Sequence, residues 1–460
     1  MKGMKASYLG LELPKPCEAD SLVRRDLSVA PFTMNDPFPK RYKVFLESPA
    51  KLVVPFHWGL SNIEGAPGAQ ECRSAGEDAP GMVFVGTLRP QQRDAADAVL
   101  RSWDACGGAM VCLPCGGGKT SVSLYLACEL RKKTLVIVHT TVLKDQWKER
   151  IAQFIPKAKV SEVQGSVWDD SGDVVIAMLQ TLSTRLPSER PFNPRQFGLV
   201  IADEAHRVAA PVLSRAMWGL CARRTLGLTA TPTRKDGLGC VVEWFLGPIA
   251  FRVWREHEAS TEVRPVKYDC PEFREPPPIN RRGDICFATL LTRLCANEDR
   301  TERIADIVDS LARDRDVLVL SHRREHCRGL ANALRAKGVD AQSYVGGDKH
   351  APESKVIVST YALTSEGFDM PRLTALVMAT PASDVEQACG RVMRGASTGA
   401  VIVDIVDQWG PCFAQHSKRK ALYSRSGFTV THRGPSGEAT TQQDPPHASP
   451  RAGAESFAFL

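Results

Sequence analysis

A chain of 460 residues with 43% hydrophobic and 24% charged residues has the composition of an ordinary soluble protein. It is too long for one core, and about 100–200 residues per domain gives two to four. The net charge of +7 is too small at this length to indicate a polyanion partner without a site, and no apolar run approaches the roughly 18 residues of a bilayer span, so neither secretion nor a membrane partner is expected.

Residues 1–80 are irregular and Pro-rich, with short apolar patches at 44–46 and 52–56. They predict a small β-containing accessory domain ending in a linker near 64–81. Lys40, Arg41, Lys43 and Lys51 are mixed there with Phe38, Tyr42, Phe45, Phe56 and Trp58. That mixture suits either phosphate contact with base stacking or an aromatic core carrying solvated lysines. From Thr87 the pattern changes to apolar runs alternating with helical spacing: VIV at 136–138, VVIAM at 174–178, LVIAD at 199–203 and TLGLTAT at 225–231. Repeated β-then-α segments predict a parallel sheet covered by helices over 81–255.

A Pro-rich break, PEFREPPP at 271–278, lies near the start of a second such block over 256–430, with VLVL at 317–320, KVIVST at 355–360, ALVMAT at 375–380 and VIVDIV at 401–406. The fold class is therefore α/β with two tandem lobes. Within the second block, Lys418-Arg419-Lys420 is either a helix surface or a backbone-contacting stretch. Residues 431–460 turn to Gly, Ser, Gln, Pro and Ala, the composition of a disordered tail.

The chemistry starts at LPCGGGKT, 113–120, between the first predicted strand of the first block and a predicted helix. Pro114, Cys115, Gly116, Gly117 and Gly118 form a loop whose backbone N–H groups can turn around phosphate oxygens without side chains in the way. Lys119 would reach the β- and γ-phosphates and Thr120 would ligate Mg²⁺. Asp203-Glu204-Ala205-His206 follows a continuous apolar run, so the acids stand at a strand's carboxyl end, where ligands collect in parallel sheets. Asp203 suits Mg²⁺, and Glu204 suits the orienter of an attacking water. Fourteen singly scattered cysteines suggest reduced thiols. The Cys112/Cys115 pair lacks a second pair, and His322, His326 and Cys327 lack obvious partners, so no further metal is expected.

Together these motifs resemble those of superfamily 2 helicases and translocases. GGGKT is similar to motif I, DEAH to motif II, TAT at 229–231 to motif III, STYALTSEGFDMP at 359–371 to motif V and QACGRVMR at 387–394 to motif VI. Within that superfamily LRPQQRDA, VIVHTTVLKDQWKERI and LGLTATPTRKDGL resemble the XPB branch, and the whole arrangement over roughly 7–430 is most similar to helicases of nucleocytoplasmic large DNA viruses, the group with the poxvirus transcript-release helicase. The chain departs from the family at Gln91, where an aromatic is usual, and at Arg234-Lys235-Asp236, a partial match to the Arg-Glu-Asp element.

The resemblance implies two RecA-like lobes closing on ATP and Mg²⁺. It makes Gln92 the adenine-reading glutamine and Gln387, Arg391 and Arg394 the motif VI catalytic groups, with Arg394 as the finger on the γ-phosphate. His206, Thr229 and Thr231 would couple motif II to the nucleic-acid track, and Gly367 with Asp369 would do so in the second lobe. Thr140, Thr141, Gln180, Thr181, Arg323 and Thr360 would grip the strand. The implied function is an ATP-dependent DNA helicase or translocase, in viral transcription or repair, with the transcription machinery as a partner and a reducing intracellular compartment, host or virion. Alternatives are an RNA helicase or transcript-release factor, and a non-catalytic ATP-switched scaffold.

Overall fold

The computed structural model describes residues 3–32, 39–114, 116–230, 236–253, 261–281, 283–346, 348, 352–365, 370, 372–383, 385–393, 399–433 and 439–442. The chain divides into two compact units, Met1–Trp254 and Arg255–Leu460.

The first unit is built on an eight-stranded sheet in the order Val167–Trp168, Val160–Gln164, Val174–Met178, Thr134–Val138, Leu199–Ala202, Arg224–Thr229, Gly108–Cys112, Ile249–Arg252. All pairings are parallel except the one between the first two strands. The central strands are β-branched and apolar along their whole length because helices cover both faces, so there is no wet side to alternate toward. Trp103, on helix Pro90–Cys106, donates its indole N–H to the Thr225 carbonyl at 2.9 Å and fixes that helix against the sheet.

The N-terminal residues form a five-stranded sheet, Leu46–Glu47, Lys51–Val54, Gly10–Pro14, Lys5–Ser7 and Gln70–Glu71 in spatial order. Its apolar face shares one continuous core with one face of the larger sheet. Phe45, Phe56 and Trp58 lie in that core, and the Arg73 guanidinium stacks 3.8 Å over the Phe56 ring. Of the basic residues, Lys51 pairs with Glu12 at 2.6 Å and Lys43 lies 5.5 Å over the Phe45 ring, while Phe38 is outside the described residues. The interleaved aromatics thus serve as core. His57 is buried with them: its Nε2 is 3.3 Å from Thr225 Oγ1, and burial pushes its pKa down to about 3. Gly108 makes this approach possible, since a Cβ there would fall 2.3 Å from the His57 ring.

The second unit carries another eight-stranded sheet, in the order Ala341–Tyr344, Val356–Thr360, Val317–Ser321, Ala375–Met378, Val401–Asp407, Glu262–Tyr268, Thr429–Arg433, Ala439–Gln442. It is parallel except for the last pairing. Two parallel sheets of this kind are the two RecA-like lobes. The strand Thr429–Arg433 runs into, and the strand Ala439–Gln442 lies within, the span expected to be a disordered tail; 434–438 and 443–460 lie outside the described residues.

Two fully buried acids project from strand Val401–Asp407. Asp404 accepts two hydrogen bonds from Arg419, at 3.0 and 2.7 Å, and one from the Tyr423 hydroxyl at 3.0 Å, and its Oδ2 lies 3.0 Å from His416 Nδ1. Asp407 accepts from Arg300 at 2.6 and 2.9 Å. Burial alone would raise both carboxyls. The His416 and Arg419 contacts hold Asp404 below its ordinary range, whereas burial wins at Asp407 and leaves it above. Arg419, read from the sequence as part of an exposed basic stretch, is therefore an internal strut that also donates to the Ala382 carbonyl at 2.6 Å. Arg419→Met leaves a buried carboxylate short of its partner and is expected to cost about 3–5 kcal/mol in urea unfolding. A loss below about 1 kcal/mol, the range of an exposed pair, would contradict the strut.

Candidate nucleotide site and track

Strand Gly108–Cys112 runs into the glycine loop, and helix Lys119–Leu130 leaves it. Gly118 caps the helix at φ 86°, left-handed backbone that a side chain resists. A Cβ there would also lie 1.9 Å from Gln92 Nε2. The loop is held from the neighbouring helix: Gln92 Nε2 donates to the Gly117 carbonyl at 3.4 Å and Arg89 Nη2 to the Gly116 carbonyl at 3.3 Å. Gln92 Oε1 in turn accepts the Arg89 backbone N–H at 2.9 Å. With those carbonyls turned outward, the first N–H groups of the helix face the loop's interior, an arrangement suited to an anion. Lys119 lies across the loop and donates to the Leu113 carbonyl at 3.0 Å.

Strand Leu199–Ala202 adjoins strand Arg224–Thr229, which adjoins the loop's own strand. Thr229 stands opposite Cys112, and Ala202 opposite Gly227. Asp203, Glu204 and Thr229 consequently emerge at one end of the sheet beside the loop. Asp203 accepts from the Trp147 indole N–H and from the Glu204 backbone N–H, both at 2.9 Å. Burial first, and the neighbouring Glu204 carboxylate second, raise its pKa above the ordinary carboxylate range.

Glu204 has left-handed backbone at φ 47°, one of two such non-glycine residues described. Strain of this sort persists only where surrounding contacts enforce it, and it marks functional turns. Its Oε2 is buried without a hydrogen-bond partner and lies 3.4 Å from His206 Nδ1, which is itself 3.2 Å from Thr229 Oγ1. The acid, the histidine and the threonine so form a chain from the end of one strand to the end of the next.

The buried Asp203 carboxyl, raised in pKa beside the Glu204 carboxylate, is a group that a divalent cation would stabilise in its charged form, and its oxygen chemistry suits Mg²⁺. Thr120, second in its helix, and Asp203 would hold the ion, with phosphate oxygens and water completing the shell. No group of three or more His, Cys, Asp or Glu suited to a metal occurs among the described residues. No helix among them is long and apolar enough to cross a membrane.

The residues expected to line the track divide by unit. Thr140 accepts the Leu143 N–H at 3.3 Å and so caps helix Thr141–Phe154, whose first residue is Thr141. Gln180 donates to the His139 carbonyl at 2.8 Å, and the Thr181 hydroxyl accepts the Gly165 N–H at 2.9 Å. These four cluster at the carboxyl ends of two adjacent strands. In the second unit Arg323 donates to the Ala288 carbonyl at 2.7 Å and Thr292 Oγ1 at 3.2 Å, and Thr360 ends its strand nearly buried.

Cys115, Thr231, Gly367, Asp369 and Arg394 lie outside the described residues. Gln387 and Arg391 sit on helix Glu386–Val392, with side chains outside them. Sequence reasoning missed Trp147 and Arg89, the partners that orient Asp203 and the loop. It also missed His139, at the end of strand Thr134–Val138, whose ring nitrogens are both buried without partners; burial, then Arg207, pushes its pKa down to about 4.

Residues 86–234 match the family model described as the type III restriction enzyme res subunit. A protein of Acanthamoeba polyphaga mimivirus named "Putative ATP-dependent RNA helicase L396" is 26% identical over 420 residues, 87% of this chain and 80% of its own. The Frog virus 3 "Putative helicase 055L" is 29% identical over 391 residues, 83% and 86% of the two chains. The "DNA 3'-5' helicase XPB" of Kineococcus radiotolerans is 29% identical over 327 residues, 67% of this chain and 57% of its own.

A glycine loop and an acid pair on one RecA-like sheet, followed by a second such sheet, define a nucleic-acid-dependent ATPase of the helicase class. More particularly, the chain is similar to superfamily 2 helicases of the type found in nucleocytoplasmic large DNA viruses.

The Trp147 N–H stabilises the charged form of Asp203, so Trp147→Phe raises that carboxyl further. The acid limb of the ATPase rate against pH is expected to move to higher pH in this variant. An unmoved limb would mean that Asp203 does not govern it.

Proposed function

We propose that the chain is an ATP-driven DNA translocase or helicase acting in viral transcription or repair. The reading is carried by Lys119, at the end of the glycine loop, and by Asp203 and Glu204, at the carboxyl end of a strand two places away in the same parallel sheet. Pro114, Cys115 and Gly116 to Gly118 would cradle the phosphates, Lys119 would neutralise the transferring group, and Gln92 would meet the base. Magnesium, held by Thr120 and Asp203, would supply charge to the β- and γ-phosphate oxygens.

Glu204 is assigned to the attacking water, and its strained backbone holds the carboxylate in place without a bonded partner. His206, Thr229 and Thr231 pass the state of that acid toward the track, with Gly367 and Asp369 in the same role in the second lobe. Gln387, Arg391 and Arg394 complete the catalytic set. A guanidinium on the γ-phosphate is worth on the order of 10³–10⁵ in rate. Thr140, Thr141, Gln180, Thr181, Arg323 and Thr360 offer hydroxyl, amide and guanidinium contacts to the strand's backbone, which gives grip without sequence preference.

A second reading, action on RNA, is favoured by the name of the mimivirus relative, whereas the Kineococcus relative is named a DNA helicase. The scaffold alternative has no chemical need for Lys119 and Glu204 together. ATP turnover measured with single-stranded DNA, duplex DNA and RNA is expected to rise with DNA and to fall to background in Lys119→Ala and Glu204→Gln. Turnover surviving Lys119→Ala would remove the loop's assignment; stimulation by RNA alone would remove the DNA reading and leave the ATPase.

A further inference from the structure

A cavity of about 210 Å³ opens in the second lobe, lined by Phe287, His322, Tyr361, Pro381, Ala382, Ser383 and Gln415. It is smaller than the roughly 300–1,000 Å³ of pockets for drug-sized ligands and is suited to one flat ring system. Pro381 and Ala382 are buried, and His322 forms the exposed rim.

Three of the seven lining residues, Phe287, His322 and Tyr361, carry flat rings, and hydrogen bonds hold two of them in place. His322 Nδ1 is 2.9 Å from Thr380 Oγ1, the Tyr361 hydroxyl donates to the Thr380 carbonyl at 2.8 Å, and the two rings lie 4.7 Å apart. Arg419 ties down the Ala382 carbonyl at 2.6 Å. Among the polar residues of the lining, Gln415 has an Oε1 that is buried and accepts no hydrogen bond. A buried acceptor left unpaired is costly, and an N–H donor entering the cavity would satisfy it.

Position narrows the ligand. His322 and Tyr361 directly precede and follow, in sequence, the track residues Arg323 and Thr360, at the ends of the adjacent strands Val317–Ser321 and Val356–Thr360. A strand whose phosphates lie on those residues carries its bases within reach of the cavity. Nucleobases combine a flat π-face with an N–H edge, the two features the lining asks for.

We propose that this cavity receives one unstacked base of the bound strand, its face against the aromatic wall and an N–H on Gln415 Oε1. Such a contact grips every base and reads none, since each has a face and an N–H donor in the strand. The inference rests on the proposed nucleic-acid track.

The test is fluorescence anisotropy of the full chain with labelled single-stranded DNA of about 16 nucleotides, either base-bearing or with a central abasic run on the same sugar-phosphate backbone. The unmutated chain is expected to prefer the base-bearing strand by about tenfold. Gln415→Leu, which removes the acceptor, and Ser383→Trp, which fills the space, should each bring the two strands to near equality, with the abasic affinity and the melting temperature unchanged. Equal binding of both strands by the unmutated chain, or a wild-type preference kept in both variants, would overturn the cavity's role and leave the track standing. Failure to bind either strand would overturn the proposed function and this inference with it.

Discussion

Parallel strands that are hydrogen-bonded in register end together, and the motor depends on that constraint. Register pairs Cys112 with Thr229 and Gly227 with Ala202, so the segments leaving these strands must emerge on one edge: the glycine loop, the threonine of motif III and the acid pair. No specific side-chain contact brings these groups to that edge. The contacts refine it instead. Gln92 and Arg89 turn the loop's carbonyls outward, Trp147 orients Asp203, and left-handed backbone aims Glu204.

The same constraint sets where polar groups can be buried. The faces of both sheets are apolar, so ionisable groups inside the lobes must bring their partners with them. In the second lobe they do: Asp404 and Asp407 each sit under an arginine fork, and the four-bonded Asp404 ties strand Val401–Asp407 to helix Gly410–Arg425. In the first lobe Glu204 Oε2 lacks a hydrogen-bonded partner. Buried charge left partly unsatisfied costs stability, and such costs are retained where charge is to be met by ligand. The accessory sheet adds stiffness: its core is continuous with the motor's, and Tyr42 donates to the Ala209 carbonyl at 2.7 Å, on the turn just after the acids.

Much of this was legible in the sequence, for a physical reason. A strand covered on both faces must be apolar throughout, so VVIAM, LVIAD and VIVDIV announced themselves as strands, and a glycine loop between strand and helix has few other uses. Asp203 and Glu204 could be placed at the loop because the fold class alone dictates where strands end. Contacts between distant segments were not legible. Trp147 meets Asp203 across 56 residues and Arg300 meets Asp407 across 107; nothing local in either sequence neighbourhood names its partner. Arg419 misled because a basic triplet reads as a solvated face, and only tertiary context turns its middle member inward. The N-terminal aromatics were ambiguous because a core and a stacking platform draw on the same residues.

The most direct test is a crystal structure of the chain with Mg²⁺ and a non-hydrolysable ATP analogue. The account predicts the phosphate chain within the loop at 113–118, Lys119 Nζ moved from the Leu113 carbonyl onto a β- or γ-phosphate oxygen, and the ion between Thr120 and Asp203. A nucleotide bound elsewhere, with Lys119 still donating to Leu113, would contradict it.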